Sequence, residues 1–236
     1  MMLDNHAPKR RWPRFMVTIL VLLVPITIVI VGAMLLDSAS KRFEADRTAF
    51  ENKQFSEAVT KVETGQWDHL SLYDIHGIDE KFTRLNPLPG LVVVHLSKTD
   101  ITETGLRSLA KQPNLKELAI HGGRGSLRPA ELQAISELTQ LERLAFDGWC
   151  ILDEPAIGNL KTLPHLEYLE ISRFLVSSSG EPACVTDTTL RILADFKQLR
   201  SMKLKGNWFS DSAVSKLHDD LPDCQIIVER TPASSP

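Results

Sequence analysis

What the 236-residue chain lacks narrows its function before any motif is found. It has no charge excess of either sign, because 27 Lys and Arg stand against 30 Asp and Glu. Nothing in that balance predicts a nucleic-acid partner. Cysteine is scarce and odd in number, three in all (Cys150, Cys184 and Cys224), so at most one bridge can close within the chain. Aromatic residues are few and include only two tyrosines, Tyr73 and Tyr168. The most informative absence is local. Phe15 to Leu36 contains no Asp, Glu, Lys, Arg, His, Asn or Gln over twenty-two positions.

As a helix that run spans roughly 33 Å, close to the ~30 Å hydrocarbon core of a bilayer, and Pro25 is tolerable in a membrane helix. Lys9, Arg10, Arg11 and Arg14 precede it with only Asp4 opposing, whereas acids and bases balance just after it. The positive-inside rule then predicts a cytoplasmic N terminus and export of everything beyond about residue 37. Removing the +3 of residues 1–14 from the total of −3 leaves −6 on the exported side. Ser38, Ala39 and Ser40 leave cleavage as a signal peptide open, although signal h-regions run only about 7 to 15 residues. No cysteine follows the run, so a lipoprotein site is not expected.

Ser38 to Gly65 lacks proline and internal glycine, and it sets Arg42/Asp46, Arg47/Glu51, Lys53/Glu57 and Glu57/Lys61 at helical i, i+4 spacing. Such pairs contribute only a few tenths of a kcal/mol each, so the helix needs packing as well. Phe43, Phe50, Phe55, Val59 and Val62 offer a partial apolar face. A spacer whose last turns cap the next domain and a short dimerising coil both fit, the irregular spacing favouring the spacer.

Beyond Gly65 a unit recurs. Apolar triplets fall at Trp67/Leu70/Leu72, Leu91/Val94/Leu96, Leu115/Leu118/Ile120, Leu141/Leu144/Phe146, Leu166/Leu169/Ile171 and Leu199/Met202/Leu204, with Cys224 and Ile227 as a truncated last copy. Their starts are 24, 24, 26, 25, 33 and 25 residues apart. Each triplet has strand spacing. Later in most units comes an apolar residue (Ile101, Leu127, Ile151, Val185, Phe209), followed in several by an N-cap candidate, Thr102, Asp153, Thr186 or Ser210. Acids after these caps suit the positive end of a helix, and apolar pairs such as Leu106/Leu109, Leu132/Ile135 and Leu190/Leu193 mark its buried stripe. A short strand and a short helix cannot bury their own faces, so the units are expected to stack into a solenoid with one shared core.

These motifs resemble the leucine-rich repeat family, particularly its ~25-residue cysteine-containing and ribonuclease-inhibitor-like classes, whose helix start looks like "ITETGLRSL" at Ile101 to Leu109. Single-pass membrane versions occur in bacteria. The resemblance covers about Trp67 to Val228 and implies an α/β solenoid, with helices on the convex side of a short curved parallel sheet. The family's Asn or Cys ladder is largely missing, with Thr99 and Asn207 in its place, and no F-box precedes the repeats. The expected organisation is a basic cytoplasmic tail (1–14), a transmembrane helix (15–36), a helical stem and cap (37–65), the repeat domain (66–230) and a disordered tail (231–236).

Residues between the inward leucines would face out on the concave side. That set supplies the candidate protein-binding residues His69, Tyr73, His95, His121, Arg143, Asp147, Tyr168, Glu170, Lys203 and Lys205, since tyrosine and arginine are favoured at binding hot spots. A merely solvated face is the alternative. His69, His95 and His121 fall on a diagonal of successive strands, spaced too widely for zinc, so no metal and no cofactor is expected. Gly122 to Gly125 lacks the lysine of a phosphate loop. The 33-residue unit carries an insertion around Ser177 to Pro182; if it precedes Cys184, Cys150 and Cys184 occupy equivalent places in adjacent units, within reach of a disulfide, and two separate thiols are the alternative. The chain therefore reads as a protein-binding module, with a scaffold acting through stem and loops as the rival and an enzyme third.

Overall fold

The computed structural model describes residues 14–122, 127–147, 154–172, 185–206 and 209–230, with side chains omitted at 14–32, 35 and 154. Cys150, Cys184, Asp153, Asn207, the insertion around Ser177 to Pro182, most of the 1–14 tail and all of the 231–236 tail lie outside the described residues. The chain comprises two compact units, Met1–Phe50 and Glu51–Pro236.

The first unit is helical throughout its described part, belonging to α1 (Arg14–Glu63). Phe43 and Phe50 are exposed there, so the stem's expected apolar face is not packed at those positions. Among the described residues no helix is long and apolar enough to cross a membrane. The side chains of 15–32, most of the expected transmembrane helix, lie outside the described residues.

The second unit alternates strands and helices: β1 (His69–Tyr73), α2 (Ile78–Arg84), β2 (Val93–Ser97), α3 (Glu103–Ser108), β3 (Glu117–His121), α4 (Pro129–Ser136), β4 (Arg143–Asp147), α5 (Glu154–Ile157), β5 (Tyr168–Ser172), α6 (Asp187–Leu193), β6 (Ser201–Lys205), α7 (Asp211–Asp220) and β7 (Gln225–Glu229). The strands form one parallel sheet in chain order. Leu72, Leu96, Ile120 and Phe146 are register partners in one row, as are Ile171, Leu204 and Val228. With Leu70, Val94, Leu118, Leu144, Leu169 and Met202 in the neighbouring row, all of them except Val228 are buried, against helix residues such as Phe82, Leu106, Leu132, Leu160 and Leu190. The α/β leucine-rich-repeat-like solenoid expected from the period is the fold observed.

Local chemistry explains why each unit turns where it does. Thr102, Thr186 and Ser210 cap their helices by accepting from the backbone N–H groups of Thr104 (3.3 Å), Thr188 (3.1 Å) and Ala213 (3.1 Å). Just after four of the strands the backbone takes positive φ, at Asp74 (53°), Lys98 (54°), Gly122 (50°) and Gly206 (147°). Each of these residues then donates its N–H to a carbonyl of the next strand, from Ser97, His121, Asp147 and Glu229 respectively. A left-handed residue is thus built into the exit of those strands, and glycine fills it without steric cost in two of them.

Acids at helix starts do more than face a dipole. The Asp79 carboxylate of α2 accepts from the Thr102 N–H (2.9 Å), the Thr102 hydroxyl and the Gly105 N–H (3.1 Å) of the following unit. Asp187 of α6 likewise accepts from the Ser210 N–H (2.7 Å) and hydroxyl (2.9 Å), which holds its carboxyl below the usual carboxylate range. One unit's first helical turn therefore caps the next unit's helix.

Two ends of the repeat series depart from the sequence reading. Trp67 is 37% exposed instead of taking a core leucine's place; no unit precedes it to cover that position. The last copy is offset by one residue. Ile226 and Val228 pair with Met202 and Leu204 on the inward side, while Ile227 pairs with Lys203 on the outer face and is 40% exposed. Cys224 is buried as expected, but the inward Ile226 follows it by only two positions, whereas Met202 follows Leu199 by three. Backbone pairing with β6, not the nearest apolar residue, fixes the register.

Candidate functional site

The open face of the sheet, opposite the helices, carries all ten candidate binding residues. His69 heads a row with Val93, Glu117, Arg143, Tyr168 and Ser201; His95, Glu170 and Lys203 lie in the middle row; Tyr73, His121, Asp147 and Lys205 lie in the third. Period-two alternation puts them there, since each is one residue from a buried leucine, isoleucine, valine, methionine or phenylalanine.

Most of these side chains form a chain of contacts across the sheet. His95 Nε2 lies 3.0 Å from Glu117 Oε1, and the other Glu117 oxygen accepts from Arg143 Nε at 2.9 Å. The Arg143 guanidinium sits 4.2 Å from the centre of the Tyr168 ring. The Tyr168 hydroxyl donates to Glu170 at 2.7 Å, Glu170 lies 3.5 Å from Lys203 Nζ, and Lys203 lies 3.1 Å from Glu229. Glu229 then meets Lys205 at 3.4 Å. Charge alternates strand by strand: Glu117, Arg143, Glu170, Lys203, Glu229.

The electrostatic consequences follow the contacts. Partial burial, helped by the hydrogen bond to Glu170, pushes the Tyr168 phenol up to about 12, so it stays a donor at any physiological pH. Glu229 beside Lys203 raises that ammonium, and the Glu229 carboxyl is lowered by the same contact. Ala119 faces this side too, yet is buried.

A second group lies at the first strand. Trp67 stacks on His69, with ring centres 5.1 Å apart and planes 14° from parallel, and Lys61 of α1 lies 3.9 Å from the indole centre. Tyr73 is 60% exposed, and its hydroxyl accepts from Lys98 Nζ at 2.7 Å. Here the described face presents its largest exposed aromatic area.

Between these groups His121 Nδ1 lies 3.7 Å from Asp147, His95 meets His121 edge to face at 6.1 Å, and the Ser172 hydroxyl donates to Asp147 at 2.8 Å. The serine bonds to the carboxylate rather than to an imidazole, so this trio does not form a nucleophile and its base. Among the described residues no three His, Cys, Asp or Glu side chains are grouped to hold a metal ion. Cys224, the one described cysteine, is a buried thiol whose pKa burial raises.

Sequence reading left Trp67, Lys98, Glu117 and Glu229 out of the candidate set. Glu117 was legible: it stands 26 residues before Arg143, the repeat spacing there, so opposite charges had to meet on adjacent strands. Trp67 and Lys98 lie outside the strands, and alternation says nothing of them.

No family model matches the chain, and no curated protein does. Solved structures similar to it include a Bacteroides fragilis protein, at 18% identity and a TM-score of 0.40, covering 64% of this chain and 43% of that one. An internalin from Listeria monocytogenes is similar at 14% identity and a TM-score of 0.41, covering 70% of this chain and 49% of that one. The chain thus spans less than half the length of either.

Proposed function

We propose that this chain is a single-pass, membrane-anchored repeat module that binds another protein through the concave side of its sheet, outside the cytoplasm, and that it acts by binding rather than by chemistry. One observation carries the binding half: the open face is a pre-ordered strip of mutually held polar and aromatic side chains. Side chains already fixed by Glu117, Glu170 and Lys98 lose little further freedom when a partner docks. Exposed Tyr73 and Trp67 supply an amphipathic contact at one end of that strip, and the Arg143–Tyr168 stack supplies a second anchor in its middle.

The anchoring half rests on the charge-free run Phe15 to Leu36 and the basic residues before it. Cross-linking and pull-down from native membranes tests both. Wild type should capture a discrete protein that Tyr73→Ala and Arg143→Ala each lose by tenfold or more. Protease added to intact cells should reach residues beyond 37 only. Capture unchanged by both substitutions would defeat the binding site. A scaffold reading is favoured by one feature, the exposed Phe43 and Phe50 on α1; unchanged capture with assembly lost on Phe43→Ser/Phe50→Ser would favour it instead.

A further inference from the structure

The C-terminal end of the solenoid has the properties of an interface. β7 is the last of the described strands, and among the described residues no strand pairs with its outer edge. Gln225 donates its N–H to Arg200 of the preceding unit, and Glu229 accepts from Gly206. In a parallel ladder alternate residues bond to the same side, so Ile227 joins these two and the N–H and C=O groups of Ile226 and Val228 point outward. The strand, Gln-Ile-Ile-Val-Glu, contains neither Lys nor Pro, the usual means of blunting an edge. The core is also incompletely covered here. Ile226 and Val228 are only partly buried although Met202 and Leu204, one strand earlier, are fully buried; Ala213 and Val214 of α7 are partly buried beside them.

We propose that this edge pairs with the same edge of a second copy, antiparallel about a two-fold axis through Ile227. The sequence of β7 is self-complementary in that register and in no neighbouring one. Ile226 faces Val228 of the second copy and Val228 faces Ile226, which joins the outward N–H and C=O groups in four reciprocal hydrogen bonds. Ile227 meets its own counterpart in the closer, non-hydrogen-bonded type of pair. Gln225 meets Glu229, so no like charges stand opposite. Centring the pair on Ile226 would instead set Ile227 against Gln225, and centring it on Val228 would set Ile227 against Glu229. Such an isologous contact continues the sheet from seven strands to fourteen and covers both open core ends at once. It goes beyond the open-face reading and does not depend on it.

Disulfide trapping in the full-length chain tests the register. In a background of Cys150→Ser, Cys184→Ser and Cys224→Ala, Ile227→Cys should cross-link nearly completely under mild oxidation, since Cα atoms in such a pair lie about 4.5 Å apart. Gln225→Cys and Glu229→Cys should cross-link when mixed but not alone. Without added cysteines, Ile227→Lys should weaken self-association at least tenfold while leaving the circular dichroism spectrum unchanged. Absence of the Ile227→Cys cross-link, or equal trapping of Gln225→Cys alone, overturns the proposal; so does self-association indifferent to Ile227→Lys.

Discussion

The two ends of the repeat series face the same problem and meet it differently. At β1 the inward Leu70 and Leu72 are buried like the interior pairs, because the last turns of α1 lay Ala58 and Val62 into the core and Phe55 against Phe82, ring centres 6.2 Å apart. Glu51 locks that cap: it is buried, accepts from the His76 N–H at 2.8 Å and lies 3.0 Å from His76 Nδ1. At β7 the equivalent Ile226 and Val228 keep access to solvent. A solenoid's end units lack one neighbour each, and only a cap supplies the missing contacts.

Truncation should expose this difference most strongly. Leu70→Ala removes a fully buried side chain at the capped end and is expected to cost about 2–5 kcal/mol, whereas Ile226→Ala at the open end should cost about 1 kcal/mol. Chemical denaturation of the two variants, under conditions where the wild type does not self-associate, measures the gap; equal losses would mean that the ends do not differ.

The inter-unit caps sharpen the comparison. Asp79→Ala strips three donors of their partner and should destabilise by about 2 kcal/mol, more than Asp187→Ala near the open end, which releases two donors at an exposed site. Gly105→Ala gives a sign test. Alanine normally favours a helix interior by about 1 kcal/mol over glycine. Here its Cβ would fall on the Asp79 carboxylate, so the substitution should lower the melting temperature rather than raise it.

A smaller effect separates the middle of the series from both ends. Glu131 is buried at the start of α4; burial alone would raise its pKa, but the Arg128 side chain (2.8 Å) and backbone N–H (3.0 Å) outweigh it and hold the carboxyl below 4.5. A depressed folded-state pKa stabilises above the unfolded value and loses that contribution as pH falls through the folded one. Stability should therefore drop below pH about 4.5, and Glu131→Gln should flatten that part of the profile in pH-dependent thermal unfolding.

Much of this was legible beforehand. Leu91, Val94 and Leu96 announced a strand, Thr102 its helix start, and the 24- to 26-residue spacing the stacking of both. The open-face residues were legible as a set because each lies next to a buried one. Their pairing was not: that Tyr168 donates to Glu170, or that Lys98 reaches Tyr73, depends on side-chain reach across strands and on a left-handed backbone at Lys98. Phe43, Phe50 and Phe55 looked alike in sequence, yet among the described residues Phe55 packs against the core while Phe43 and Phe50 are exposed.

By itself the sequence determined which side of each interior strand is dry, because alternation and burial are decided within a few residues of chain. Tertiary structure alone decided the offset of β7, the cap formed by α1, the links from Asp79 and Asp187 to the next helix, and the alternating contact chain on the open face. Those depend on which backbone atoms meet across twenty or more residues, and local periodicity carries no information about such meetings.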